Sequence, residues 1–435
     1  MFIVSLFTLF LITQGSHIDS FLDRAKADTK ENKGKIWAVL VAGSSGWWNY
    51  RHQSDVCHLY KLLTKNHGIP RAQVIVMMYN DIAFNEQNKH PGTIINALHG
   101  KDVYEGTMID YMGEDVTPNN FLKILRGESM DVGSRNTLRS GPQDHVFVNF
   151  VDHGDTGILG FPSDELHLVD LNRTLQRMHE NGKYSQMLWY VEACFSGSMF
   201  EGLSSTWNMT AHTAANSEES SFACVWDDEI GSFLGDCWSL NWMNNTEQIY
   251  PRLYKETVGQ QYKIVKEMTT QSHASIFGDL QNIYNDKLSV FFGHPLANEV
   301  ESEPMYPILS PARDPTPTPD VMLETLRRRR DRLNEDVKEE IRYHENKEKE
   351  AQVTLKKIVA AVTGSEEEVA ASRRQPIKNS QCNKDVLSTF YKECFKFQSH
   401  PYITKYTYWL SNLCNSHNSK RIVEQVKRSC TKFLA

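Results

Sequence analysis

His145-Val-Phe-Val-Asn-Phe-Val151 is an apolar run that leads directly into Asp152-His153-Gly154-Asp155. A short apolar run rich in Val and Phe and closed by a glycine turn predicts a strand buried in a sheet. Three more runs share this texture. Lys35-Ile-Trp-Ala-Val-Leu-Val-Ala-Gly43 ends in a Gly/Ser turn, and Gln73-Val-Ile-Val-Met-Met-Tyr79 and Gln186-Met-Leu-Trp-Tyr-Val-Glu192 follow it. Between them, Asp55 to Lys65 and Asp170 to Glu180 carry helical spacing. Strands alternating with helices predict an α/β domain around a mainly parallel sheet. In such sheets the reactive groups collect at the carboxyl ends of the strands.

The 435 residues exceed one typical domain, and 40% hydrophobic with 23% charged residues excludes wholesale disorder. The net charge of -7 conceals a division. Residues 1–320 hold 24 Lys/Arg against 39 Asp/Glu, and residues 321–435 hold 23 against 15. A basic end suits either a nucleic-acid partner or a chain that neutralises itself. Aromatic interleaving and a recognition motif are both lacking, which argues against nucleic acid.

The segment between the two parts is marked by Pro304, Pro307, Pro311, Pro315, Pro317 and Pro319, the signature of an extended linker. Beyond it, Val321 to Val362 reads as helix, dense in Arg, Lys and Glu, with apolar residues at Leu326, Leu333, Val337 and Ile341. A second, all-α domain is expected there. Met1 to Ile12 is an apolar run too short to span a bilayer, and small or polar residues (Thr13, Gly15, Ser16) follow it. This predicts a cleaved signal peptide and a soluble chain in the secretory system, without a membrane anchor. Sequons at Asn172, Asn208 and Asn244 suit that route. So do Cys382, Cys394, Cys414 and Cys430 in the last 54 residues, which predict two disulfides with three pairings open. Cys57, Cys194, Cys224 and Cys237 are scattered, and at least one is a candidate working thiol.

Two strand ends carry chemistry. His153-Gly154 lies just past one buried strand, and Glu192-Ala-Cys194-Phe-Ser-Gly197 just past another. A thiol there can attack a carbonyl, and the imidazole can take its proton or protonate a leaving amine. Backbone amides near Gly154 and Cys194 can face a developing oxyanion. A zinc site would need ligand spacing such as CxxC or HExxH, which is absent, and no phosphate loop follows the first strand. Neither a metal nor a cofactor is expected.

These residues, in this order, resemble the legumains, the asparaginyl endopeptidases. Val41-Ala-Gly-Ser44, Asn49-Tyr-Arg-His-Gln53, Gly113-Glu-Asp-Val-Thr-Pro118, Gly141-Pro-Gln-Asp-His145 and Thr213-Ala-Ala-Asn216 are similar to further motifs of that family, as is the four-cysteine helical end. The resemblance implies a caspase-like three-layer α/β/α catalytic domain with a mainly parallel six-stranded sheet, followed by an all-α prodomain. It divides the chain into a signal peptide (1–16), a short propeptide (17–33), a catalytic domain (34–300), a linker and activation peptide (301–334) and the disulfide-bonded prodomain (335–435).

The family pattern implies Cys194 as nucleophile, His153 as general acid/base, Asn49 as its orienter, and the amides of Gly154 and Cys194 as the oxyanion hole. It implies a specificity pocket of Arg51, His52, Glu192, Ser220, Ser221 and Asp236. Such a pocket suits an asparagine, whose carbonyl needs a donor and whose amine needs acceptors; an aspartate would enter only when protonated. The resemblance further implies pairings Cys382–Cys414 and Cys394–Cys430, and self-cleavage at Asn334. Its implied partners are protein and peptide substrates with Asn at the cleavage site, the chain's own prodomain as inhibitor, and cystatin-type inhibitors. An acidic lysosomal, endosomal or digestive compartment is implied too. Peptide ligation at the same site and a non-catalytic scaffold are the alternatives. Three positions depart from the family pattern: Phe195 stands where many relatives are acidic, Phe222 where Tyr is common, and Cys237 where an aromatic is common.

Overall fold

The computed structural model describes residues 34–250, 252–294, 313–329, 335–365 and 373–430. The expected signal peptide, the short propeptide and Asn334 lie outside the described residues.

Strands β1 (Ile36–Ala42), β2 (Val74–Met78) and β3 (His145–Val151) form the middle and one side of a six-stranded sheet. Three short strands, β4 (Gly154–Asp155), β5 (Ile158–Gly160) and β6 (Glu165–His167), make a separate antiparallel sheet. β7 (Gln186–Glu192) and β8 (Met209–Thr213) return to the main sheet. β9 (Phe222–Asp227) and β10 (Ser232–Asp236) pair antiparallel beyond its carboxyl edge, and β11 (Ser275–Gly278) closes the main sheet. The order in space is β11-β8-β7-β3-β1-β2, parallel except for β11.

Along β1 the buried side chains alternate between two cores, Ala38 and Leu40 on one face, Val39 and Val41 on the other, as the two-residue period of a strand requires. The first core is roofed by α1 (Tyr50–Lys61), and the second by α2 (Pro118–Arg126) and α3 (Leu168–Glu180). α4 (Cys237–Ile249), α5 (Val258–Met268) and the short α6 (Ser289–Phe292) complete the first roof. The result is the three-layer α/β/α arrangement with a mainly parallel six-stranded sheet. Helix α1 begins five residues before the Asp55 expected from spacing. All its residues are buried, so no polar stripe marks where it starts.

The C-terminal part is helical: α7 (Val321–Arg329), α8 (Glu335–Thr363), α9 (Ser380–Glu393), α10 (Tyr408–Leu413) and α11 (Ser419–Cys430). Val321 to Val362 therefore spans two described helices rather than one. Disulfides Cys382–Cys414 and Cys394–Cys430 tie α9 to α10 and α11. A third, Cys224–Cys237, joins β9 to the start of α4, a pairing no spacing suggested. The core of this part also takes in Ile158 and Trp48 from the catalytic part.

The linker is extended at Thr316–Pro317, as its prolines indicate, but it is not exposed there. These residues form β12, antiparallel to β9, with Thr316 opposite Ala223 and Pro317 opposite Phe222. A proline lacks the amide for a ladder and is confined to such edges.

Asn172 and Asn208 are exposed, on α3 and just ahead of β8. Asn244 is 7% exposed inside α4 and accepts from Gln248 at 3.3 Å. Of the three sequon asparagines, it is the least accessible. Expressed in a glycosylating host, Asn172→Gln and Asn208→Gln each remove an endoglycosidase-sensitive mobility shift, and Asn244→Gln removes none.

Candidate active site

The sheet fixes where the candidate groups stand. β3 and β7 are neighbours in parallel register, with Val151 opposite Glu192, and the Asp152 amide donates to the Glu192 carbonyl at 3.1 Å. His153 and Cys194 thus emerge two residues beyond the ends of adjacent strands. An added Cβ on Gly154 would stand 2.2 Å from the Cys194 carbonyl oxygen, so only glycine lets these two loops approach. Beyond β1, Asp81 holds both the turn and the helix that follow: it accepts from the Gly46 amide and from Gln53 Nε2, each at 2.7 Å. This places Asn49, Arg51 and His52 at the start of α1, over the same edge.

Asn49 Nδ2 donates to the Ser45 carbonyl at 2.9 Å, which turns its amide oxygen toward His153. His153 Nε2 lies 2.8 Å from that oxygen. An amide oxygen only accepts, so Nε2 carries the proton and Nδ1 is left as the basic nitrogen. Trp48 and His52 pack on the imidazole at 5.3 and 5.2 Å between ring centres. Burial, with Arg51 adding to it, holds His153 well below the usual histidine range, so it is neutral. Cys194 is 1% exposed, and burial pushes its thiol up to about 11, opposed by Ser221. Its Sγ is 3.7 Å from Ser221 Oγ. Ser221 in turn bonds the linker: its carbonyl accepts from the Thr318 amide at 2.9 Å, and its hydroxyl lies 3.2 Å from that of Thr318. Ser220 is half-buried beside it.

Arg51, Glu192 and Asp236 are all buried in one pocket. Arg51 Nε donates to Asp236 Oδ1 at 2.8 Å and Nη1 to the Trp48 carbonyl at 3.1 Å. Glu192 Oε2 accepts from the amide and hydroxyl of Ser239 at 2.9 and 3.0 Å. Three atoms are left without a hydrogen bond of good geometry: the donor Arg51 Nη2 and the acceptors Glu192 Oε1 and Asp236 Oδ2. Asp55, which sequence reasoning missed, accepts from the Asp236 amide at 3.1 Å and from Asn96 at 2.7 Å. Burial first, then mutual repulsion, raises Asp55 and Glu192 well above the carboxylate range. Burial also raises Asp236, against the pull of Arg51. Ser221 and Asp55 stand close enough to Glu192 and Asp236 to oppose part of the rise. One guanidinium cannot balance three buried carboxylates, so the trio shares protons.

Among the described residues, His52, Asp152 and His153 form one cluster with three ligand atoms within 4.8 Å of one another. His52 Nδ1 lies 2.6 Å from Ser44 Oγ, and burial and Arg51 keep His52 far below its usual range. Asp152 is pushed up to about 8, chiefly by burial.

The C-terminal helices close the site. Phe397 packs 6.5 Å from the His153 ring, and Gln398 Nε2 donates to Asp152 Oδ2 at 2.7 Å. Lys384 pairs with Asp170 at 2.7 Å and Arg374 with Asp155 at 3.4 Å. Arg328 lies over the rings of Trp226 and Phe233, at 5.0 and 5.3 Å, and so holds α7 on β9 and β10. Sequence reasoning gave no role to Thr318, Gln398 or Asp155, whose partners Ser221, Asp152 and Thr407 lie 97, 246 and 252 positions away in the chain.

A protonated thiol and an unprotonated imidazole at neighbouring strand ends, both covered by the chain's own C-terminal part, describe a latent hydrolase of the cysteine class. Residues 36–294 match the peptidase C13 family and residues 339–430 the legumain prodomain. The legumain of Bos taurus is 43% identical over 414 residues, 92% of this chain and 94% of that one. The vacuolar-processing enzyme delta-isozyme of Arabidopsis thaliana is 34% identical over 442 residues, 93% of this chain and 92% of its own. Among solved structures, caspase-1 of Spodoptera frugiperda is similar over 61% of this chain and 92% of its own, at 11% identity and a TM-score of 0.35. The chain belongs to the peptidase C13 family, the legumains: it is a cysteine endopeptidase made as a zymogen with a C-terminal prodomain.

Proposed function

We propose that the mature enzyme hydrolyses peptide bonds after asparagine, and after aspartate at low pH. The observation that carries this reading is the trio of atoms in the buried pocket without a hydrogen bond of good geometry, one donor on Arg51 and one acceptor each on Glu192 and Asp236. A side-chain amide supplies their complements, a carbonyl for the guanidinium and an N–H for each carboxyl. An aliphatic side chain leaves all three unpaired, and an ionised aspartate sets a further anion beside the carboxyls. Aspartate becomes acceptable only as its own carboxyl gains a proton, toward about pH 4.

In the proposed reaction, Cys194 Sγ attacks the scissile carbonyl and His153 Nδ1 takes the thiol proton. The amides of Gly154 and Cys194 hold the oxyanion, and the histidine returns the proton to the leaving amine. Asn49 keeps the imidazole in the tautomer this needs. Water then releases the acyl enzyme.

The reading extends to self-activation in an acidic compartment, by cleavage at Asn334 and loss of the prodomain. Its support is the charge division and the opposite-charge pairs across the interface, Lys384–Asp170 and Arg374–Asp155. Among the described residues, no helix is long and apolar enough to cross a membrane. Asn-bearing proteins and peptides, the prodomain and cystatin-type inhibitors are the proposed partners.

The test is to acidify the purified zymogen below about pH 5 and assay peptides that differ only in Asn, Asp, Gln or Leu before the scissile bond. Cleavage after Asn, joined by Asp only at the lower pH, is expected; equal cleavage after Leu or Gln overturns the assignment. An added amine nucleophile, followed by product mass, reveals any share of ligation. Equal prodomain loss at neutral and acid pH would sink the electrostatic account of activation.

A further inference from the structure

On the β9 side of Cys194, the cleft is occupied by linker residues Thr316 to Thr318. The other side is occupied by the prodomain, and the contact there is built around one side chain. Arg374 enters with its side chain 7% exposed. Its guanidinium carbon lies over the Phe195 ring, 3.5 Å from the ring centre. Nη1 reaches Asp155 Oδ1 at 3.4 Å and bonds Thr156 Oγ1. Phe195 directly follows the candidate nucleophile and holds a left-handed backbone, φ 54°. Asp155 directly follows Gly154 of the candidate oxyanion hole.

Loss of the prodomain strips Asp155 of partners. It is fully buried and is satisfied by Arg374, by Tyr391 Oη at 2.6 Å, by Thr407 Oγ1 at 2.5 Å and by the Thr156 amide at 2.7 Å. Three of these four partners belong to the prodomain. The mature cleft is therefore left with a carboxylate that keeps one hydrogen bond, beside a bare aromatic face and a free hydroxyl. A carboxylate in a recess demands a cation. An aromatic face beside it selects a planar guanidinium, which stacks and donates sideways at once; a lysine ammonium does only one of these well.

We infer that Phe195, Asp155 and Thr156 form a subsite for an arginine side chain of the substrate, in the first two positions after the scissile bond. Arg374 is the zymogen's own occupant of that subsite. The inference rests on the proposed cleavage after asparagine at Cys194 and takes the residues before the bond to follow the linker's path beside β9.

The experiment uses acid-activated enzyme and peptides that all carry Asn before the bond, with Arg, Lys, Leu, Glu or Gly at each of the next two positions. At one of these positions, kcat/KM for Arg should exceed that for Leu by about 10-fold or more, with Lys between them. The Arg/Leu ratio, read within each protein so that a general loss of activity cancels, should fall to within about 2-fold in Asp155→Asn and in Phe195→Ala. On the unsubstituted enzyme, arginine amide should inhibit cleavage of the Gly peptide more strongly than norleucine amide, a readout that needs no variant to fold or activate. Equal rates for Arg and Leu, a ratio unchanged in both variants, or equal inhibition by the two amides overturns the subsite. Failure to cleave any Asn peptide strikes instead at the cleavage reading beneath it.

Discussion

Zymogen carrying Cys194→Ala is expected to stay full length after acidification, while the unsubstituted chain should lose its prodomain. Peptide cleavage by the variant falls by about 10⁴-fold or more, because removing a nucleophile removes every step that depends on it. The zymogen thiol also makes a second measurement decisive. Burial pushes Cys194 up to about 11, so near neutrality only about one molecule in 10⁴ carries the thiolate that an alkylating agent attacks. Thr318 and Ser221 cover the same sulfur from the linker side. Once the prodomain departs and the freed linker lifts from the cleft, water returns, the desolvation that raised the thiol is relieved, and alkylation by iodoacetamide should quicken by about 100-fold or more. Cys57, the other free cysteine among the described residues, is buried and pushed up to about 12. It stays shielded in the mature fold, so activated unsubstituted enzyme should take one equivalent of label, on Cys194. Processing of the variant at the unsubstituted rate, or labelling at Cys57 instead, would remove Cys194 from the nucleophile role.

The sequence made the centre of this molecule legible and left its closures dark, and the reasons are physical. β3 and β7 were readable to the residue because a strand covered on both faces must be apolar throughout. β8, Met209-Thr-Ala-His-Thr213, and β11, Ser275-Ile-Phe-Gly278, were not, since a strand at the rim can carry polar residues without loss. The first strand-end residues, His153 and Cys194, followed from β3 and β7 alone. The pocket needed the family resemblance, because Arg51, Glu192 and Asp236 come from three separate elements and each looks like an ordinary surface charge in isolation. The prolines around residue 316 announced extended chain correctly. What they could not announce was its partner: β12 pairs with β9, about ninety residues earlier, and long-range pairing leaves no local mark. For the same reason Phe195 stood out only as an oddity beside the nucleophile, and nothing local pointed to Arg374 on its face.

Asp152→Asn should reverse part of the pH dependence of stability, and the sign of that change is fixed by the direction of the Asp152 shift. In the zymogen this carboxyl is 1% exposed and pushed up to about 8, chiefly by burial, against an ordinary value of 3.8. Between those two values the folded chain keeps the proton and the unfolded chain does not. Stability from this group is therefore fully present in acid and is lost as pH rises toward about 8, at about 1.4 kcal/mol per pH unit. Glu192, Asp236 and Asp55 are raised in the same direction and act alike. Acidification thus firms the catalytic pocket, which suits the activation in acid proposed above. Asparagine has the size of the protonated aspartate, and its oxygen can accept the Gln398 bond. In a Cys194→Ala background, which prevents self-cleavage, Asp152→Asn should leave the melting temperature near about pH 4 little changed. It should raise it by roughly 5 °C or more near neutrality, relative to the parent. Parallel melting curves for the two proteins from acid to neutral pH would mean that Asp152 is ionised in the folded zymogen. The proton would then have to be placed elsewhere in the pocket.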